Sequence, residues 1–279
     1  MHIYIENITN EIILIFLYIL LTTVLCYLIF IGLTLYKIKK NIKDYEKKYD
    51  TRVIFIVDEF WMNKYIDLIK TIKNNIIDIN DSYRFQDILN DVITKNIKKL
   101  DIYIQSNGGY VKDNDVIVNN LINYDGIINT YIPKFAYSAA CLISLCGNNI
   151  YMNETAVLGP TDPITEIKGN SVSVQSLLKF KKQKKVKNID ETLLIQINDL
   201  EKIYNENLII LGRIFLKKHN ADPNKNKNLI KIFGSGNYSH ESPFTKKFLI
   251  SNGLNIENNN RFYDLKNILD DIHKLKYFF

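Results

Sequence analysis

Residues 126–146 read GIINTYIPKFAYSAACLISLC. The first seven form a β-branched and aromatic run that predicts a buried strand, which Pro133 ends because proline cannot donate to a sheet ladder. From Ser138 onward small and apolar residues predict a helix over 138–147, and NIYM (149–152) predicts the next strand. A serine at a strand-to-helix junction is open to two readings: a helix N-cap, or a nucleophile beside the free N–H groups of a helix start.

Working outward from this junction, the same alternation recurs. RVIFIV (52–57) and LDIYIQ (100–105) predict two further strands, and residues 81–98 predict a helix between them. SNGG (106–109) breaks the pattern, after which Val116, Ile117, Leu121 and Ile122 return at helical spacing. Strands alternating with helices predict an α/β fold with a parallel sheet core. Further on, helices are expected over 173–183, 191–218, 226–233 and 262–276, and HNADPNKNKN (219–228) is expected as a surface loop.

In a parallel sheet the SNGG turn and the Ser138 turn share the carboxyl edge, where open α/β folds place ligands. Gly108 and Gly109 permit close backbone approach. The N–H of either glycine and that of Ala139 then converge beside the Ser138 hydroxyl as an oxyanion hole. A tight turn followed by a helix cap would give the same spacing.

The N-terminus carries a different signal. Ile12 to Tyr36 is 25 residues without a charged side chain, long enough to cross a hydrocarbon core of about 30 Å. Residues 12–36 are therefore expected to span a membrane, with 1–11 as a short tail, 37–50 as a juxtamembrane helix or linker, and a folded domain from 51 to 279. A cleaved signal peptide fits poorly, because Glu6 and Glu11 precede the run and no small-residue cleavage site follows. Lys37, Lys39, Lys40 and Lys43 flank the C-terminal end of the run, which places the domain in the cytosol and the tail on the opposite side.

The chain has 279 residues, a formal net charge of +6 and 47% hydrophobic content, enough for one substantial core. No nucleic-acid motif accompanies the charge, so nucleic acid is not expected as a partner. Cys26, Cys141 and Cys146 form no CxxC pair, and no GxxxxGK, GxGxxG or HExxH is present. No metal and no cofactor is expected.

Three blocks carry a family resemblance: IQSNGGYVKDNDVIVNNL (104–121), IPKFAYSAACLISLCGNNIYMNETAVLGPTDPI (132–164) and GSGNYSHESPF (234–244). In this order they resemble the signature blocks of the serine dehydrogenase proteinase family, membrane-anchored relatives of signal peptide peptidase A within the ClpP/crotonase superfamily. The resemblance implies a ClpP/crotonase-like fold and a serine endopeptidase acting on polypeptide through an acyl-enzyme on Ser138. It also implies an oxyanion hole from Gly108, Gly109 and Ala139, and a homo-oligomer.

The general base is less constrained. A Clp-type triad would need a histidine about 25 residues past the serine, and AVLGPTD holds none. Relatives of signal peptide peptidase A imply instead a serine–lysine dyad, for which Lys179 lies at the right distance, with Lys181 and Lys182 as neighbours. A lysine is a base only when neutral, which requires burial of its ammonium. His240 is the alternative base, and Asp162 in GPTDP is suited to cap a helix or orient a partner. Two departures from the family pattern, Asn107 before the glycines and Ala140 after the serine, admit a second reading: a catalytically degenerate membrane-tethered scaffold of the same fold.

Overall fold

The computed structural model describes residues 2–57, 71–72, 77, 79–167, 169–184, 189–219, 222–258 and 261–276. One helix, α1 (His2–Tyr49), leads into β1 (Arg52–Val57), β2 (Thr71–Ile72), α2 (Ile79–Thr94) and β3 (Lys99–Gln105). Next come α3 (Val111–Asn123), β4 (Ile127–Ile132), β5 (Phe135–Ala136), α4 (Ser138–Leu145) and β6 (Asn149–Met152). β1, β3, β4 and β6 run parallel, and with β2 they form a sheet of order β2-β1-β3-β4-β6. This is the expected parallel α/β core, and its strands match the four predicted to within one residue at each end.

Both faces of the sheet are covered, which is why the strands read as near-continuous apolar runs rather than alternating ones. Successive side chains on a strand point to opposite faces. Ile54, Ile56, Ile102, Ile104 and Ile128 pack on one side with α2, α3 and α4, while Val53, Phe55, Tyr103, Tyr131 and Tyr151 face the other. That second face is covered by the C-terminal half of α1 and by α9 (Arg261–Lys276), through Ile38, Tyr45, Phe262 and Leu265.

α1 is unbroken from the apolar stretch to the domain, so the expected tail and linker are parts of one helix. Among Ile13–Tyr49 an 18-residue window has a mean hydropathy of 2.7 and none of it is buried, so by length and composition this helix is able to cross a membrane. Its far end is fastened to the sheet. Tyr45 Oη donates to Asp101 Oδ2 at 2.7 Å, Asn129 Nδ2 donates to Asp101 Oδ1 at 2.6 Å, and Asn149 Nδ2 donates to Asn129 Oδ1 at 2.8 Å. Asp101 is fully buried, and each of its oxygens accepts a hydrogen bond, the condition under which a buried carboxylate is tolerated. Lys37 and Asn41 reach Asp271, and Lys48 and Tyr49 reach Asp264, so α9 runs antiparallel to α1.

After β6 come β7 (Val157–Leu158), then an antiparallel pair β8 (Ile164–Ile167) and β9 (Asn170–Ser173), α5 (Val174–Gln183) and the long α6 (Glu191–Ile214), whose end widens into a π-helical turn at Phe215–His219. α7 (Pro223–Gly234), β10 (Phe244–Thr245) and α8 (Lys246–Ser251) complete the chain before α9. The expected loop over 219–228 is corrected. Asp222 caps a helix by accepting from the N–H groups of Asn224 and Lys225, and Pro223 occupies its first position, where the missing N–H costs nothing.

Candidate active site

The two turns predicted to share a rim do so. Gly108 takes φ +106°, and a β-carbon there would lie 2.8 Å from Ser138 Cβ and 2.9 Å from Ala139 N. Gly109 is pressed against the opposite wall, where a β-carbon would meet the Ile77 backbone at 2.3 Å. Neither position has room for a side chain, which is the physical content of the paired glycines in SNGG. The Tyr137 N–H donates to Ser106 O at 3.0 Å and ties the serine turn to the glycine turn.

Ser138 itself has φ +51°, the left-handed region that a non-glycine residue enters at a cost. Its N–H donates to Pro160 O at 3.1 Å, and Thr161 N–H donates to Phe233 O at 2.8 Å, so the TDP block braces the strained serine from behind. The Gly108 N–H is occupied by the Ser106 hydroxyl at 3.1 Å. Among the described residues no acceptor faces the N–H of Gly109 or of Ala139. Of the three expected oxyanion donors, Gly109 and Ala139 thus have no acceptor among the described residues, and the Gly108 N–H is engaged within its own turn.

Ser138 opens onto a cleft of about 840 Å³ whose walls include Gly109, Ala139, Leu142, Glu166 and His240. His240 Nδ1 lies 3.2 Å from Asp162 Oδ1, and the Asp162 side chain is wholly buried. A buried carboxylate on one imidazole nitrogen fixes ring orientation and leaves the other nitrogen for the cleft. Asp162 stands 24 residues past Ser138, near the place where a Clp-type histidine was sought. The histidine paired with it, His240, belongs to the third block.

Lys179 lies elsewhere. It is on the exposed face of α5 and is not among the cleft residues. Lys181 Nζ is held by Glu201 at 2.7 Å, and Lys182 is exposed. Lys185 and Lys187 of the same run lie outside the described residues. No lysine or arginine among the described residues lines the cleft, whose charged residues are Glu166, Glu241 and, when protonated, His240. Asn107 is exposed at the cleft edge and Ala140 is fully buried. Sequence reasoning passed over Asn114 and Asn207, which also line the cleft; a polar residue on the inner face of an otherwise apolar helix was the available signal. Among the described residues there is no group of three or more His, Cys, Asp and Glu side chains placed to hold a metal ion.

A family model for ClpP-like SDH-type serine proteinases matches residues 2–273. The chain belongs to that family. It is similar to two uncharacterized proteins of Methanocaldococcus jannaschii, with 28% identity over 58% of this chain and 54% of the relative, and 27% identity over 80% and 74%. The chain thus spans about half the length of the first of these relatives. Among solved structures it resembles a variant of the membrane-bound stomatin-specific protease 1510-N, at 13% identity and TM-score 0.48, covering 78% of this chain and 84% of that one. It also resembles a variant of ClpP1 from Listeria monocytogenes, at 13% identity and TM-score 0.44, covering 77% and 96%.

Proposed function

We propose that this serine peptidase homologue is an active, membrane-anchored endopeptidase in which Ser138 is the nucleophile, His240 the general base and Asp162 the residue that orients it. One observation carries the reading: the backbone of Ser138 is held in a left-handed conformation on the wall of a cleft that is also lined by His240, whose ring is paired behind the wall with buried Asp162. In the first step Ser138 Oγ attacks the scissile carbonyl carbon while its proton passes to His240 Nε2. The oxyanion takes hydrogen bonds from the N–H of Gly109 and Ala139. Collapse breaks the C–N bond, His240 returns its proton to the leaving amine, and water then hydrolyses the acyl-enzyme by the same route.

A lysine base, as the family resemblance implied, would need a buried ammonium within reach of Ser138, and the exposure of Lys179 speaks for His240 instead. The exposed apolar length of α1 supports anchoring in a bilayer, and the lysines from Lys37 to Lys43 support a cytosolic domain. Polypeptide is the substrate in this reading, and self-association of the domain belongs to it.

The test is labelling of the full chain in detergent micelles by a fluorophosphonate probe. Labelling that vanishes in Ser138→Ala and falls steeply in His240→Ala, but persists in Lys179→Ala, is the expected result. A well-folded chain that takes up no label would overturn the catalytic reading in favour of a scaffold of the same fold.

A further inference from the structure

The helix that packs against the inner half of α1 ends where the apolar run of α1 ends. Asp271 of α9 accepts from Lys37 Nζ and Asn41 Nδ2, which sets it level with about residue 39 of α1. Asp264, two turns earlier on α9, accepts from Lys48 Nζ and Tyr49 Oη, so the two helices keep this antiparallel register along their contact. Each helix climbs at the same rise per residue. The five residues from Asp271 to Lys276 therefore carry the end of α9 to the level of about residue 34. The charge-free run of α1 extends to Tyr36, so α9 finishes beside its last turn.

Burial along α1 agrees with this register. Residues 13–21 and 23–30 are exposed, whereas Ile31, Thr34 and Leu35 are half-buried, and Leu35 packs against the cluster that holds Leu269 and Ile272 of α9. The sequence at this end is HKLKYFF (273–279), two lysines followed by three aromatic residues. A helix ending in water gains nothing from three consecutive aromatic residues, since their apolar area stays exposed. At a bilayer boundary the same composition is favourable. Aromatic rings settle at the headgroup level there, and lysine stems lie along apolar surface with the ammonium turned to water and lipid phosphate.

Resting on the membrane-anchored reading of α1, we infer that Tyr277, Phe278 and Phe279, just past the described end of α9, form a second lipid contact beside the span, at the headgroup–acyl boundary. The partner is the bilayer itself. The domain then meets lipid through two neighbouring helices rather than through one stem, and the side that carries α9 is the side that leans toward the membrane.

The experiment reconstitutes the full chain in phosphatidylcholine nanodiscs whose acyl chains carry bromine either near the headgroup or near the chain end. Trp61 is the single tryptophan, so the depth probes are built on Trp61→Phe: Phe278→Trp for the contact, Leu25→Trp for the span, and Tyr263→Trp for the far end of α9. Tyr263 is 73% exposed, and the register places it about 20 Å from the end of the apolar run. Bromine near the headgroup is expected to quench Phe278→Trp at least about fivefold more than Tyr263→Trp. Phe279→Trp reads the same depth should Phe278→Trp fail to fold. Quenching of Leu25→Trp with none at Phe278→Trp or Phe279→Trp, whether their emission reports water or a protein pocket, overturns the contact and leaves the anchor in place. Equal quenching at Tyr263→Trp and Phe278→Trp also overturns it, because α9 would then lie flat on the lipid. A chain whose Leu25→Trp escapes both quenchers has no spanning helix, and the contact falls with the anchor.

Discussion

Gly108 and Ser138 touch: a single added β-carbon on the glycine would stand 2.8 Å from the serine's own β-carbon. This contact sets the position of the Ser138 hydroxyl relative to the N–H groups of Gly109 and Ala139, which have no acceptor among the described residues. Gly108→Ala is expected to lose labelling of Ser138 by at least 100-fold, since an alanine must leave φ +106° or displace the serine turn. The left-handed backbone alone should cost about 1–2 kcal/mol, read as a lower urea midpoint with an unchanged slope.

The pairing of His240 with Asp162 predicts a different pattern. Asp162→Asn is expected to cut peptide hydrolysis by about 10³ to 10⁴ while leaving the fold in place, because the amide favours the wrong imidazole tautomer. His240→Ala should fall by a similar factor, and Lys179→Ala should stay within about twofold of the parent chain. A loss in Lys179→Ala as deep as that in His240→Ala would return the base role to a lysine.

These expectations mark where the sequence was legible. Strand composition and the turn chemistry of SNGG and YSAAC were enough to bring Gly108, Gly109, Ser138 and Ala139 to one rim, because a parallel sheet leaves little freedom in where its carboxyl ends lie. The candidate base proposed here, His240, was less legible, since it lies in an irregular segment after α7 and no periodicity relates that segment to the serine. Spacing along the chain favoured Lys179, but the solvent-facing side of α5 was set by the packing of Val174, Leu177 and Leu178 against Ile197. Short strands such as β7, β8 and β9 carry too few residues for alternation to show. The start of α7 hid among lysines and asparagines, although Asp222-Pro223 was a capping signal in plain view.

Acid titration offers a check away from the cleft. Burial, with Glu206 beside it, pushes the Asp115 carboxyl from 3.8 up to about 6. The folded chain therefore holds this proton over a window in which the unfolded chain has released it. Its contribution to stability is greatest below about pH 4 and declines as pH rises through 6. Asp115→Asn is expected to remove this slope and to stabilise the chain at pH 7 by on the order of 1 kcal/mol, solvent screening of a partly exposed group having reduced the full effect. Urea midpoints at pH 4, 5, 6 and 7 read both results, and a steeper decline in the asparagine variant would contradict the assignment.

The buried Asp101 predicts a stability effect on the opposite face of the sheet. Tyr45→Phe removes a hydrogen bond to a charged acceptor, at an expected cost of about 1.5–3 kcal/mol. Asn129→Leu should cost at least as much, because it strips a donor from Asp101 and an acceptor from Asn149 together. Thermal unfolding in detergent measures both.

The unbroken course of α1 into the Tyr45–Asp101 clamp has a mechanical meaning for a chain anchored in a bilayer. In the anchored reading proposed above, a helix continuous into its inner clamp leaves no flexible tether between lipid and domain, which would hold the cleft close to one height above the bilayer. Access in that reading would be governed by how far a polypeptide protrudes from the surface, a fixed gauge rather than a roaming blade.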